Sequence, residues 1–151
     1  MFFDKKMNFF DLEVKDRNDA LESMAEKLYA SGLVDESFHK GILDREDHFP
    51  TGLPILPYGI AIPHTDADKV ITPQIAFASL KKPVKFRLMG SQNEEVDVSL
   101  IFMLALKKAE DQLTMLQRLI ELFQNSSILL KFVECKNQKE FDNLLISVGL
   151  E

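Results

Sequence analysis

The chain has 151 residues, 46% of them hydrophobic and 28% charged, a formal charge of −6 and one cysteine, Cys135. That length suits one compact domain over 1–151, which buries roughly 70% of the surface its unfolded chain exposes and needs no disulfide or structural metal. The acidic balance argues against nucleic-acid binding, which shows as a basic patch, and it permits a protein partner with a basic face. A lone thiol suits a reducing cytosol.

The opening MFFDKKMNFF is not signal-like, because Asp4-Lys5-Lys6 interrupts its apolar pairs. The most apolar run, Val98 to Leu106, falls far short of the about 20 residues a bilayer span takes, so a cytoplasmic protein without membrane insertion is expected. Met7 offers a second start, which would make the first six residues dispensable. Residues 9–15 (FFDLEVK) alternate weakly, as an edge strand does. From Asn18 the spacing of Leu21, Met24, Ala25 and Leu28 predicts a helix, stopped by Gly32. A second helix begins after Asp35, carries Phe38 and Ile42 on one side, and ends before Pro50. Pro50 to Pro57 holds three prolines and a glycine and reads as a loop.

Gly59-Ile60-Ala61-Ile62 reads as a short buried strand running into Pro63-His64. Residues 74–80 (QIAFASL) and 83–88 (PVKFRL) read as two further strands, and 96–106 (VDVSLIFMLAL) as a central one. The last third is helical. Leu113, Leu116, Ile120 and Phe123 form one stripe, Ile128, Leu129 and Phe132 another, and Asn137 with Glu140 resembles a capping pair ahead of a third. Helices, then strands, then helices predict an α/β domain: a mixed sheet with helices on both faces.

The stretch REDHFPTGLPILPYGIAIPHT, Arg45 to Thr65, carries the chemistry. Pro63 stiffens the approach to His64 and pushes Ile62 toward an extended conformation, so the imidazole is presented at the rim of the sheet. Ligand sites in such sheets gather at the carboxyl ends of strands. A histidine with an ordinary pKa of about 6.5 is largely neutral at cytosolic pH, with one ring nitrogen free to attack phosphorus. Phosphoryl transfer asks mainly for positioning and stabilised oxygens, for which Arg45, Thr51 and the helix start near Gln112 are candidate donors. These features alone also fit a structurally bonded histidine.

GIAIPHT, preceded by RE and PTG in fixed order, resembles the phosphorylation motif of the fructose–mannitol class of phosphotransferase-system IIA domains. The resemblance spans nearly the whole chain. It implies that family's fold, with His64 taking phosphate from phospho-HPr and passing it to a cysteine of a IIB protein, which serves a membrane IIC component. It implies no cofactor and no metal, and it makes Arg45 the active-site arginine. Many members carry a second histidine where this chain has Gln112. That glutamine and Phe49-Pro50-Thr51-Gly52 are similar to the galactitol-specific branch, so galactitol or a related polyol is implied. The alternative is a regulatory IIA protein of the nitrogen type, whose phosphorylation state governs partner binding.

Other residues carry plainer expectations. His39 and His48 share no metal-binding spacing with His64. Glu46 either orients Arg45 or the imidazole, or makes a surface ion pair. Asp66 and Asp68 read as solvated loop charges, and Cys135 as semi-buried and inert.

Overall fold

The structure, a computed structural model, describes residues 2–151. A five-stranded mixed sheet has the order β1-β4-β5-β3-β2. Its strands are β1 (Asn8–Leu12), β2 (Gly52–Leu53), β3 (Gly59–Ala61), β4 (Gln74–Arg87) and β5 (Glu95–Ala105). Helices α1 (Arg17–Ala30) and α2 (Ser37–His48) precede β2; α3 (Ala109–Leu122), α4 (Ser126–Glu134) and α5 (Gln138–Ser147) follow β5. β4 and β5 are antiparallel, whereas β5 and β3 are parallel.

Strand alternation sorts the core into two halves. One face of β4 and β5 presents Ala76, Ala78, Ile101 and Met103 to Leu21, Met24 and Leu28 of α1 and Phe38 and Ile42 of α2. The other presents Ile75, Phe77, Leu100 and Phe102 to α3, α4 and α5. Alanines let the first pair of helices approach closely. On the second face Phe77 stacks on Phe141 at 4.5 Å and meets Phe102 edge-on at 5.1 Å, filling the space between the sheet and its helices with rings.

Most elements fall where the sequence places them, with informative differences. The strands expected at 74–80 and 83–88 are one strand, β4, whose register with β5 shifts between Ser79 and Val84. β1 pairs with β4 only as far as Leu80, so Lys81, Lys82 and Pro83 lie on a free edge, where a missing N–H is tolerated. Phe3 is buried against Phe141, so the segment before Met7 contributes to the core. α1 starts at Arg17, capped by Asp16, whose side chain accepts from Asp19 N–H. Asn137 caps α5 by accepting from Glu140 N–H, while the Glu140 carboxylate reaches back to Lys136 N–H. The glycine opening the buried strand has a steric reason: a Cβ on Gly59 would lie 2.1 Å from the Asp97 carbonyl oxygen.

Candidate phosphoryl-acceptor site

His64 stands just beyond β3, held against the parallel strand beside it. It bridges Leu104 of β5, and Leu104 N–H donates to the Pro63 carbonyl at 2.9 Å. The ring itself is tied down: Nδ1 lies 2.9 Å from the Ile62 carbonyl oxygen. A carbonyl only accepts, so Nδ1 carries the proton, and in the neutral ring Nε2 holds the free lone pair. Burial lowers the His64 pKa below its ordinary 6.5, and the Arg45 charge pushes the same way against the opposing Ile62 bond. The half-buried ring is thereby kept neutral and nucleophilic near neutral pH.

His64 opens on a cleft of about 160 Å³ that it shares with Arg45, Asp66, Lys108 and Gln112. Arg45 comes from the last turn of α2, where a cation suits the negative end of the helix dipole. Its guanidinium lies 4.8 Å from the Phe49 ring centroid, and Nη1 is 3.7 Å from Asp66 Oδ1. Arg45 Nε is buried without a hydrogen-bond partner. Gln112 is the fourth residue of α3, and its own N–H already donates to the Lys108 carbonyl. The open N–H groups of this helix therefore belong to the residues just before Gln112.

Thr51 and Glu46 are placed differently from the expectation. They do not line the cleft with His64. Glu46 is buried, at 1% exposure, and its two carboxylate oxygens accept from Thr51 N–H at 2.8 Å and Thr51 Oγ1 at 2.7 Å. Glu46 thus makes neither a surface ion pair nor a bond to Arg45 or the imidazole. Thr51 in turn accepts Ile62 N–H on its carbonyl, at 3.4 Å. A chain of bonds runs from Glu46 through Thr51 and Ile62 to His64 Nδ1. Burial raises the Glu46 pKa, against the two Thr51 bonds and the Arg17 and Arg87 charges that oppose it.

Asp66, expected as a loop charge, is paired with Arg45. Lys108, at the N-cap of α3, was not singled out from the sequence; its position four residues before Gln112 was the available signal. His39 is remote from this arrangement, its Nε2 4.0 Å from Glu22; His48, its Nδ1 2.8 Å from the Asp44 carbonyl, lines a neighbouring hollow with Arg45, Thr65 and Asp66 but not the cleft of His64. Among the described residues no three of His, Cys, Asp and Glu cluster as metal ligands. A larger hollow of about 420 Å³ adjoins Cys135, but burial and Glu140 push that thiol up to about 11, where it stays protonated. Among the described residues no helix is long and apolar enough to cross a membrane.

By comparison with known proteins the chain is a phosphotransfer component. The chain matches the family described as "Phosphoenolpyruvate-dependent sugar phosphotransferase system, EIIA 2" over residues 1–148, and it belongs to that family. It is 29% identical over 114 residues to the galactitol-specific EIIA component of Escherichia coli K12, covering 76% of this chain and 75% of that protein. The fold matches a PTS IIA protein (PtxA) of Streptococcus mutans with a TM-score of 0.80 at 21% identity, covering 99% of this chain and 93% of that one. It also matches the Escherichia coli complex of mannitol enzyme IIA with phosphorylated enzyme IIB, with a TM-score of 0.75 at 19% identity, covering 93% and 94%.

Proposed function

We propose that His64 accepts a phosphoryl group from phospho-HPr in the cytoplasm and passes it to a cysteine of a cognate IIB protein, which feeds a membrane IIC component. The observation that carries this reading is the Nδ1 bond to the Ile62 carbonyl, because it leaves Nε2 as the one lone pair of a ring that opens on a cationic cleft. Nε2 attacks phosphorus in line, the donor's bond to phosphorus breaks, and the donor keeps the electron pair. The Nδ1 proton stays on the ring, so the ring gains a formal positive charge while the phosphoryl carries two negative ones. Arg45 supplies charge and forked donors, and Gln112 supplies a neutral amide donor. Thr51 and Glu46 support the site from behind, by fixing the carbonyl that holds the imidazole. In the second step a IIB thiolate attacks the same phosphorus and Nε2 recovers its pair. No metal or cofactor enters either step.

The transported compound is proposed to be galactitol or a related polyol. Support comes from the galactitol-specific relative and from Gln112 and the Phe49-Pro50-Thr51-Gly52 stretch. The test is labelling from phospho-HPr followed by transfer to galactitol-type and mannitol-type IIB proteins. His64→Ala is expected to abolish labelling while circular dichroism stays that of the wild type and melting stays cooperative. Label that persists in the variant refutes His64 as acceptor, and labelled protein that donates to no IIB thiol refutes the transport role in favour of a regulatory one.

A further inference from the structure

We propose that Lys108 is a second cationic ligand of the phosphoryl group on His64, an inference that rests on the carrier reading above. Charge balance in the cleft leads to it. A phosphoryl group brings close to two negative charges. Facing it, the Arg45 cation is already matched by Asp66 at 3.7 Å, and Gln112 is neutral. These three groups sum to zero, so the ring's own positive charge is all that offsets the dianion and about one negative charge is left uncompensated. Lys108 is the remaining charged side chain that lines the cleft, and it makes the sum positive before the phosphoryl arrives.

Topology puts Lys108 there. His64 bridges Leu104, and four residues further on the chain has left β5 and reached the mouth of α3. Both positions lie at the carboxyl ends of parallel neighbours, so the imidazole and the helix start look into the same space. Lys108 is exposed, and its ammonium enters no ion pair among the described residues.

The residue is also a poor choice for this position if stability alone is considered. Lys108 occupies the N-cap with extended backbone (φ −107°, ψ 130°), and its side chain makes no capping bond. An N-cap favours Ser, Thr, Asp or Asn, which accept from the first N–H groups; an ammonium has nothing to accept with. Its charge also has the same sign as the helix's N-terminal end. Both mismatches disappear when a dianion stands in front of them, because open N–H groups and ammonium then share one acceptor.

The test uses the intact chain and phosphoramidate, a small donor that removes partner docking from the measurement. Its P–N bond breaks as Nε2 binds phosphorus, and ammonia leaves after taking a proton from solvent. Rates of phosphohistidine formation are compared for wild type, Lys108→Gln, Lys108→Arg and Lys107→Gln, with melting curves as a fold control. Lys107 is exposed, does not line the cleft, and its loss changes net charge by the same amount. Lys108→Gln is expected to slow labelling about tenfold, the range of one charge-assisted hydrogen bond in a solvated site. Lys108→Arg should restore most of the rate, and Lys107→Gln should leave it unchanged. Equal slowing by both glutamine variants, or none at Lys108→Gln, overturns the inference while the carrier reading stands. Wild-type protein that takes no label at His64 overturns both.

Discussion

Glu46→Ala is the most informative stability change, because it removes a buried acceptor that serves two donors of one residue. Thr51 N–H and Thr51 Oγ1 both bond to this carboxylate, and Thr51 is 2% exposed. Leaving a buried donor unpaired costs about 1–3 kcal/mol each, while release of a buried carboxylate returns part of that, so a net loss of about 2–4 kcal/mol is expected. For a chain of this length one kcal/mol moves the melting point by about 3 °C, which gives a fall of about 6–12 °C. Glu46→Gln keeps the volume and one carbonyl acceptor, and should lose less than half as much. Its pH dependence carries a sign. Burial holds the folded pKa above its ordinary 4.5, so the native state binds a proton that the unfolded chain has released. This contribution is fully present below pH 4.5 and is lost as pH rises through the folded value. The wild type should therefore gain on Glu46→Gln as pH falls into that window. Urea melts at several pH values measure all of this. Equal losses for the alanine and glutamine variants, or an alanine loss under about 1 kcal/mol, refute the bonding scheme.

Two further outcomes follow from the same region. The His64 pKa is lowered, chiefly by burial, so the unfolded ring takes up a proton before the folded one does. The stability it confers is complete above pH 6.5 and drains away as pH falls through the folded value, and labelling should likewise hold steady above 6.5 and decline below the folded pKa. Titration of the ring resonances by NMR checks this, and a midpoint at or above 6.5 refutes it. Gly59→Ala would set a Cβ 2.1 Å from the Asp97 carbonyl oxygen, a backbone atom, so β3 and β5 must part. Overpacking of this kind costs about 1–3 kcal/mol and should lie at the upper end here, with a matching loss of labelling as His64 shifts from Leu104. A variant that melts like the wild type refutes the close approach.

Much of the fold is legible in periodicity. The stripes of α1 and α5 and the apolar run of β5 are set by burial on one or both faces, which residue type records directly. By contrast, α3 departs from the stripe read in the sequence: it buries Met115 and Leu119 and leaves Leu113 and Ile120 exposed, because the face toward the sheet is set by tertiary packing. Lys81-Lys82-Pro83 misleads because punctuation residues signal a turn when local context decides, whereas here an unpaired edge of β4 tolerates them. Gly52–Leu53 escapes notice because two residues carry no period, and their pairing with β3 is a tertiary fact. At the site, Pro63-His64 after a buried strand marks the position proposed here as the acceptor, while Arg45 is tied to it through resemblance to a family motif and, independently, through the cleft both residues line. Glu46 and Lys108 mark the limit of sequence reading. Charged residues are solvated by default, and only coordinates separate a carboxylate sealed against Thr51, or an ammonium at the mouth of a helix, from ordinary surface charge.

The location of the chemistry follows from one irregularity in strand direction. Had β3 run antiparallel to β5, its carboxyl end would lie at the opposite edge from the start of α3, and His64 would face no helix mouth. The parallel pairing sends both chains out of the sheet on the same side. One exit is stiffened by Pro63 and delivers an imidazole; the other turns at once into α3 and delivers open N–H groups and Lys108. α2, packed on the opposite face of the sheet, ends where Arg45 reaches the same gap, and Glu46 beside it anchors the loop that fixes Ile62. The imidazole, the two cations and the carbonyl that selects the tautomer thus come from separate elements that meet at one rim. Of the two cations Arg45 is held, stacked on Phe49 and paired with Asp66, whereas Lys108 is exposed and enters no ion pair among the described residues, so the ring and the guanidinium are fixed by their neighbours and the ammonium is not.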